Sequence, residues 1–251
     1  MGPTVGIFTS RKNAERAIEH LQSVGIPPDR ISLLSPGASK EEIHDVPTTD
    51  TEQPGMDKAL GGVVGGVLGM QVGAALSVVI PGIGPVVATG LVAIGLLGAI
   101  GVVGGAVAGQ ALEAPTVHGL PVDELYLYED ALRQGRTILF VLADTQNEAE
   151  AARKIMANVG AESLDAARKT WWVGLRDAEE VEYAGQGGDF TADEPKYRRG
   201  FEAALSIKAR GKSYEEALPF LEESYPDIYD RIPFRRGYER GHAYYQELTR
   251  H

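Results

Sequence analysis

Residues 59–112 read ALGGVVGGVLGMQVGAALSVVIPGIGPVVATGLVAIGLLGAIGVVGGAVAGQAL and contain no charged residue, although 24% of the whole chain is charged. The segment PGIGP at residues 81–85 interrupts this run. Each proline lacks a backbone donor and restricts the residue before it, so the segment predicts a turn between two apolar arms, residues 59–80 and 86–112. As α-helices the arms would be roughly 33 and 40 Å long, enough to cross a hydrocarbon core of about 30 Å.

Glycines recur at intervals of four in both arms. On a helix this spacing places them on one face, where the missing side chains let two backbones approach closely. In lipid the backbone must satisfy its own hydrogen bonds, which favours helix even in a glycine-rich segment. We therefore predict a glycine-zipper helical hairpin. Its helix-packing residues are Gly61, Gly65, Gly69, Gly73, Gly101, Gly105 and Gly109, and its turn residues are Pro81, Gly82, Gly84 and Pro85.

The hairpin has two possible environments. Its length and its lack of charge favour a membrane. Glycine and alanine are weak membrane anchors, however, so the same glycine faces could instead pack between copies of a water-soluble oligomer. Self-association is expected in both environments.

The composition of the whole chain excludes several classes of function. The net charge of −11 over 251 residues argues against a general nucleic-acid binder and against electrostatic attraction to anionic lipid. The absence of cysteine excludes disulfides, thiol catalysis and cysteine-ligated metals. The N-terminus has neither the basic nor the apolar region of a secretory signal, so a cytoplasmic protein is expected.

Residues 1–35 have the pattern of a β-α-β unit. Residues 4–8 form an apolar, β-branched run that predicts a strand. Ser10 is a candidate helix N-cap, and apolar residues then recur at helical spacing up to a Val-Gly stop. Residues 30–34 predict a second strand. Residues 36–58 are polar and rich in Pro, Thr, Asp and Glu, which is typical of a linker.

A second β-α-β unit is predicted in residues 121–175. Residues 122–132 predict a helix, and residues 136–143 are the most strand-like segment of the chain. The two units align as an internal repeat, FTSRKNAERAIEHLQSVGIPPDRI with LADTQNEAEAARKIMANVGAESLDA. The last strand of the second unit has two candidate positions, residues 163–167 and 171–173. Two such units predict an α+β, ferredoxin-like sandwich of four antiparallel strands and two helices, into which the hairpin is inserted.

Short motifs in these two units follow the pattern of a known family. They are VGIF at residues 5–8, NAERA at residues 13–17, LQSVGI at residues 21–26, the glycine-rich hairpin, and the helix that precedes the strand at residues 136–142. With them, roughly the first 170 residues resemble the bacterial general stress protein family of the YflT type. The resemblance implies a stress-related context without assigned chemistry, and it does not cover the C-terminal residues.

Residues 195–251 predict a small C-terminal helical domain. YRRGFEAA at residues 197–204 recurs as FRRGYERG at residues 234–241. Aromatic and aliphatic residues recur at helical spacing in three segments, which indicates three helices in a bundle or packed on the sheet. Trp171 and Trp172 fit a membrane headgroup boundary and packing on this bundle equally well.

The arginines of the repeated motif have two interpretations. Among many tyrosines they could bind phosphate or stack on bases. Acidic residues on the same helices favour ordinary solvated ion pairs instead. The arginines are Arg198, Arg199, Arg235, Arg236 and Arg240, and the expected partners are Glu215, Glu216, Glu222, Glu223 and Asp227.

Motifs for catalysis and for metal or cofactor binding are incomplete. Glu41-x-x-His44 and Glu239-x-x-His242 have the spacing of di-iron bundles but lack further glutamates in a four-helix frame. The sequence GKS at residues 211–213 lacks the glycine of a phosphate loop, and GIG at residues 82–84 lacks the third glycine of a dinucleotide fingerprint. We therefore predict no catalytic residue, no metal ligand and no cofactor.

These features together predict a non-enzymatic, stress-related protein whose hairpin inserts in or associates with the membrane and drives self-association. The expected partners are other copies of the chain and membrane lipid, without nucleic acid. If both units share one sheet, both termini lie on the cytoplasmic side. One alternative is a soluble cytoplasmic scaffold or shell with the hairpins buried between subunits. The other is a small-ligand binder with a site between the sheet and the C-terminal helices, which a pocket rich in Arg, Glu and Tyr would support.

Overall fold

A computed structural model describes most of the chain, namely residues 3–37, 75–80, 82–99 and 124–249. These residues have the predicted α+β class, with a five-stranded antiparallel sheet and mostly helical structure elsewhere. The chain divides into two compact units. The sheet unit comprises residues 1–121 and 129–164, and the helical unit comprises residues 122–128 and 165–251.

The sheet contains three of the four predicted strands and two strands that were not predicted. Its strands are β1 (Thr4–Phe8), β2 (Ile31–Pro36), β3 (Ala75–Ile80), β4 (Gly84–Thr89) and β5 (Thr137–Val141). They lie in the order β1-β5-β2-β4-β3, and each neighbouring pair is antiparallel. All five residues of β5 are buried, in agreement with its continuously apolar sequence.

The helices that the internal repeat predicts are present. The sheet unit contains α1 (Arg11–Ser23), α2 (Leu91–Ala99), most of α3 (Leu125–Arg133) and α4 (Gln146–Asn158). Ser10 caps α1 and Thr145 caps α4, each by accepting the backbone N–H three residues later. Both helices are followed by a glycine with positive φ, Gly25 and Gly160. Their apolar faces share one core with the sheet, which includes Phe8, Ala14, Leu21, Leu139, Ala152 and Met156.

The prediction of helical arms is wrong for the residues next to the PGIGP turn. Ala75–Ile80 and Gly84–Thr89 form the antiparallel pair β3–β4, and Gly82 and Gly84 adopt positive φ values of 73° and 101° in the reversal. β-Branched residues suit a pleated strand. β4 also pairs with β2, in a register that runs from Leu33 opposite Thr89 to Pro36 opposite Val86. Pairing with a distant strand therefore outweighs the helical pattern. Within the second arm, Leu91–Ala99 is helical as predicted.

Neither predicted position of the fourth strand is a strand. Residues from Leu164 onward form the long helix α5 (Leu164–Gly185). Only Glu162 pairs with β1, in an isolated antiparallel bridge in which Glu162 and Ile7 exchange backbone hydrogen bonds of 2.8 and 3.0 Å. Buried Ala167, Trp171 and Trp172 share one helical face, so burying this face favours helix over strand for these bulky residues.

The helical unit contains the three C-terminal helices that the sequence predicts, together with α5. They are α6 (Phe190–Leu205), α7 (Tyr214–Ser224) and α8 (Ile232–Thr249). Asp189 caps α6, and Ser213 with Glu216 forms a capping box at the start of α7. Their core includes Ala204, Leu221, Phe234 and Tyr238.

The predicted zipper glycines cannot be placed. The residues that lie outside the described part of the chain include Pro81 and all the predicted zipper glycines, namely Gly61, Gly65, Gly69, Gly73, Gly101, Gly105 and Gly109. Among the helices that the structure does describe, none has the length and apolar composition needed to cross a membrane.

Candidate functional site

The repeated RRG motifs meet where α6 and α8 cross. A Cβ atom at Gly200 of α6 would lie 1.9 Å from the carbonyl oxygen of Phe234, and one at Gly237 of α8 would lie 1.9 Å from the carbonyl oxygen of Tyr197. These reciprocal distances are far below van der Waals contact. The crossing therefore requires glycine at both positions, so close packing on glycines occurs in the helical unit.

A buried polar network joins three helices beside this crossing. The Tyr197 hydroxyl donates a 2.7 Å hydrogen bond to Glu179 Oε2, and Arg240 Nη2 lies 3.1 Å from Glu179 Oε1. Glu179 is 1% exposed, and a buried carboxylate is tolerated only when it has partners such as these. Burial, followed by the hydrogen bond to Glu179, raises the pKa of Tyr197 above its ordinary value. The network thus holds α5, α6 and α8 together.

The two tryptophans of α5 pack inside the helical unit. Trp171 contacts the rings of Tyr126 and Phe201, with centroids 4.8 and 5.9 Å apart. Trp172 contacts Phe201 and donates its Nε1–H to Glu194 at 2.8 Å. Of the two interpretations that the sequence leaves open for these residues, packing on the C-terminal helices is the one observed.

Within the helical unit, a cavity of about 400 Å³ lies among α3, α5, α6 and α7. Its volume is in the range of small-molecule sites. Its charged lining residues are Glu124, Arg168, Arg199, Glu202 and Lys208, and its hydroxyl and aromatic lining residues are Tyr126, Ser206, Phe220, Ser224 and Tyr225.

The two acidic residues of the cavity are paired with arginine. Arg168 Nη2 lies 3.0 Å from Glu124 Oε1, and Arg198 Nε lies 2.7 Å from Glu202 Oε1. Arg199 has no ion pair with any described residue. The Lys208 ammonium lies 5.6 Å from the centre of the Phe220 ring and has no carboxylate partner in the described part of the chain.

Two hydroxyl groups of the cavity are buried. Burial raises the pKa of Tyr126, and the nearby Glu202 carboxylate raises it further, so this phenol stays protonated and can donate. Ser206 is 4% exposed, and its Oγ has no hydrogen-bond partner among the described residues. The cavity therefore offers donors to a polar ligand.

The five arginines of the repeated motif have different surroundings. Arg235 pairs with Glu215 as the sequence predicts, and also with Glu239. The other contacts in the described part of the chain differ from the prediction: one is a pair within α6, and the others reach from α8 to α5, which the sequence pattern could not bring together. Arg198 pairs with Glu202, Arg240 with Glu179, and Arg236 lies over the Tyr183 ring.

Sequence reasoning singled out Arg199 but missed the rest of the cavity. Polar residues recur along α6 at intervals of three and then four, at Arg199, Glu202 and Ser206, a spacing that places their side chains on one helical face. This spacing is the sequence signal for the part of the cavity that α6 contributes. Glu124 and Arg168 are remote in sequence, and nothing in the pattern connects them with α6. Within the described ranges, no group of three or more His, Asp or Glu side chains could hold a metal ion.

A second candidate site is the outer edge of the sheet. β3 is the last strand in the sheet order, and it pairs with β4 on one side. No described strand pairs with its other side. Val79 of β3 is 72% exposed, so this edge strand presents an apolar side chain that a second chain paired with it could cover.

The chain was compared with protein-family models, with curated proteins and with solved structures, and none of the three comparisons finds a match.

Proposed function

We propose that this chain is a non-enzymatic, stress-related protein whose uncharged stretch, residues 59–112, brings copies of the chain together. The supporting observation is that β3 belongs to this stretch and lies at the edge of the sheet. An edge strand carries unpaired backbone groups that can pair with another chain, and proteins usually protect it with charge or proline. β3 reads ALSVVI and has neither.

The proposed occupant of the β3 edge is β3 of a second copy. Pairing would satisfy the backbone groups of both edges and cover both Val79 side chains. The zipper glycines outside the described residues would add helix-to-helix contacts to the same assembly. Membrane lipid is the other proposed partner of this stretch. Because the chain is strongly acidic, attachment would be hydrophobic, at the cytoplasmic side of the membrane.

We also propose that the sheet unit is a ferredoxin-like core extended by the β3–β4 hairpin. The support is that the bridge at Glu162 lies beside β1, which gives the order Glu162, β1, β5, β2. This is the order of the four strands in a ferredoxin-like sandwich, with the last strand reduced to a single bridge. α1 and α4 share one core with the sheet, as its two helices would.

Cell fractionation separates the two environments of the proposed assembly. The untagged chain is expressed, and the membrane pellet is washed with alkaline carbonate. Retention until detergent is added would support insertion in lipid, and a single large species in the soluble fraction would support a soluble assembly. A monomer in the soluble fraction would contradict both forms of the proposal.

Two matched valine variants test the strand edge. Val79→Lys places a charge on β3, and Val181→Lys places the same charge on α5 at a side chain of similar exposure, 74% against 72%. Analytical ultracentrifugation should show a smaller species only for Val79→Lys. Equal masses for both variants would exclude the β3 edge as the interface.

Replacing Gly65 and Gly69 by Leu tests the contribution of the proposed helix packing to the assembly. An unchanged mass would exclude the glycine zipper from the assembly.

A further inference from the structure

The cavity of the helical unit contains uncompensated positive charge. Both of its carboxylates are neutralised by an arginine, Glu124 by Arg168 and Glu202 by Arg198. Arg199 and Lys208 remain without a carboxylate partner among the described residues, although the chain has an excess of acidic over basic residues. Two cations that converge on a concave surface favour an anionic ligand.

The second RRG motif provides a comparison for Arg199. Its counterpart in the second RRG motif is Arg236, which lies over the Tyr183 ring at 5.3 Å and donates a 3.3 Å hydrogen bond to the Gln186 carbonyl. Arg198 and Arg235, the preceding residues of the two motifs, both pair with a glutamate four residues later. Among these four arginines, Arg199 alone lines the cavity, and it has no ion-pair partner among the described residues.

Ser206 is an independent sign of a ligand. It follows the last residue of α6, and its backbone N–H donates to the Ala203 carbonyl at 3.2 Å. Its Oγ is buried and has no partner among the described residues. Burying a hydroxyl costs free energy when no new hydrogen bond replaces those it made to water. Buried hydroxyls are therefore usually bonded to protein, to water or to a ligand.

We propose that this cavity binds a small organic oxyanion, with Arg199, Lys208 and the Ser206 hydroxyl as its donors. A guanidinium, an ammonium and a hydroxyl together suit a phosphate or carboxylate group. The aromatic rings of Tyr126, Phe220 and Tyr225 line the same cavity and would contact the organic part of the ligand. The site involves none of the residues of the proposed self-association, so either proposal can fail without the other.

Isothermal titration calorimetry on the full chain tests the proposal, with phenyl phosphate, benzoate and inorganic phosphate as probes. Phenyl phosphate should bind with one-to-one stoichiometry, and added salt should weaken it. Arg199→Gln should weaken binding about tenfold or more, because it removes a charge-assisted hydrogen bond. Ser206→Ala should weaken it several-fold. Tighter binding of phenyl phosphate than of benzoate indicates a phosphate ligand, and the reverse indicates a carboxylate; both results support an oxyanion site.

The control is Arg16→Gln, which removes the same charge from an exposed position on α1 in the sheet unit. Its affinity should equal that of the parent chain. Circular dichroism and the unfolding midpoint establish that each variant is folded, and amide chemical shifts of Ser206 and Lys208 locate the probe. Absence of binding by all three probes at about millimolar concentration would overturn the proposal. Equal affinity of Arg199→Gln and Arg16→Gln would overturn it as well.

Discussion

At the scale of single residues, glycine stabilises the packing of two helices at some positions and only weakens its own helix at another. Gly200 and Gly237 allow α6 and α8 to touch backbone to backbone, since a Cβ at either would overlap a carbonyl oxygen of the other helix. Gly174 of α5 has open space around it and only weakens its helix. Sequence spacing alone does not tell a packing glycine from a merely destabilising one, because the difference depends on whether another helix lies against it.

Alanine substitutions of these glycines are the first prediction. Gly200→Ala and Gly237→Ala should each lower the free energy of unfolding by about 3 kcal/mol, because the helices must separate to admit the methyl group. Gly174→Ala should raise it by about 0.5–1 kcal/mol through better helix propensity. Urea unfolding of the three variants measures these changes. Similar values for Gly200→Ala and Gly174→Ala would mean that α6 and α8 do not cross closely.

At the scale of elements, the segment around the PGIGP turn shows why pattern and pairing differ. Its lack of charge fits helices in lipid and strands in a sheet equally well, and its valines and isoleucine favour strands. β4 becomes a strand beside β2, where Leu33, Leu34 and Ser35 supply the partner backbone. That partner lies some fifty residues earlier in the chain, beyond the reach of any local pattern.

A cysteine pair tests the strand assignment in a chain that has no native cysteine. Ser35 on β2 is the register partner of Val87 on β4, so Ser35→Cys with Val87→Cys should form a disulfide on mild oxidation. The control pairs Ser35→Cys with Val78→Cys on β3, two strands away and about 10 Å distant, which is too far for a bridge. Thiol titration measures both. A free thiol pair at residues 35 and 87 would contradict the β2–β4 pairing.

At the scale of the whole molecule, buried tyrosines distinguish the helical unit from the sheet unit. Burial is the first cause of a raised pKa at Tyr126, Tyr128, Tyr197 and Tyr238, and burial with the Asp193 hydrogen bond raises the pKa of Tyr183 to about 12. All five belong to the helical unit. The contribution of these tyrosines to the alkaline pH dependence of stability therefore belongs to this unit.

The predicted pH dependence follows from the direction of these shifts. Below the ordinary tyrosine pKa of about 10, folded and unfolded chains both keep the phenols protonated, and the stabilisation is fully present. Above it the unfolded chain loses protons first, so the free energy of unfolding should fall as pH rises through about 12. Urea unfolding at increasing pH measures the slope, and the tyrosinate absorbance of these five buried tyrosines should appear together with the loss of helical circular dichroism. Constant stability to about pH 12 would contradict this expectation.

The sequence by itself determined the features that depend on neighbours along the chain. It established the α+β class, β1, β2 and β5, the two capped helices of the internal repeat, and the three C-terminal helices, because caps, glycine stops and apolar spacing act within a few residues. Tertiary structure decided the rest. It made strands of the residues around PGIGP and helix of Trp171 and Trp172, and it assembled the cavity of Arg199 and Ser206 from helices distant in sequence. Backbone pairing and burial between remote segments have no local signal, and those two forces define both candidate sites.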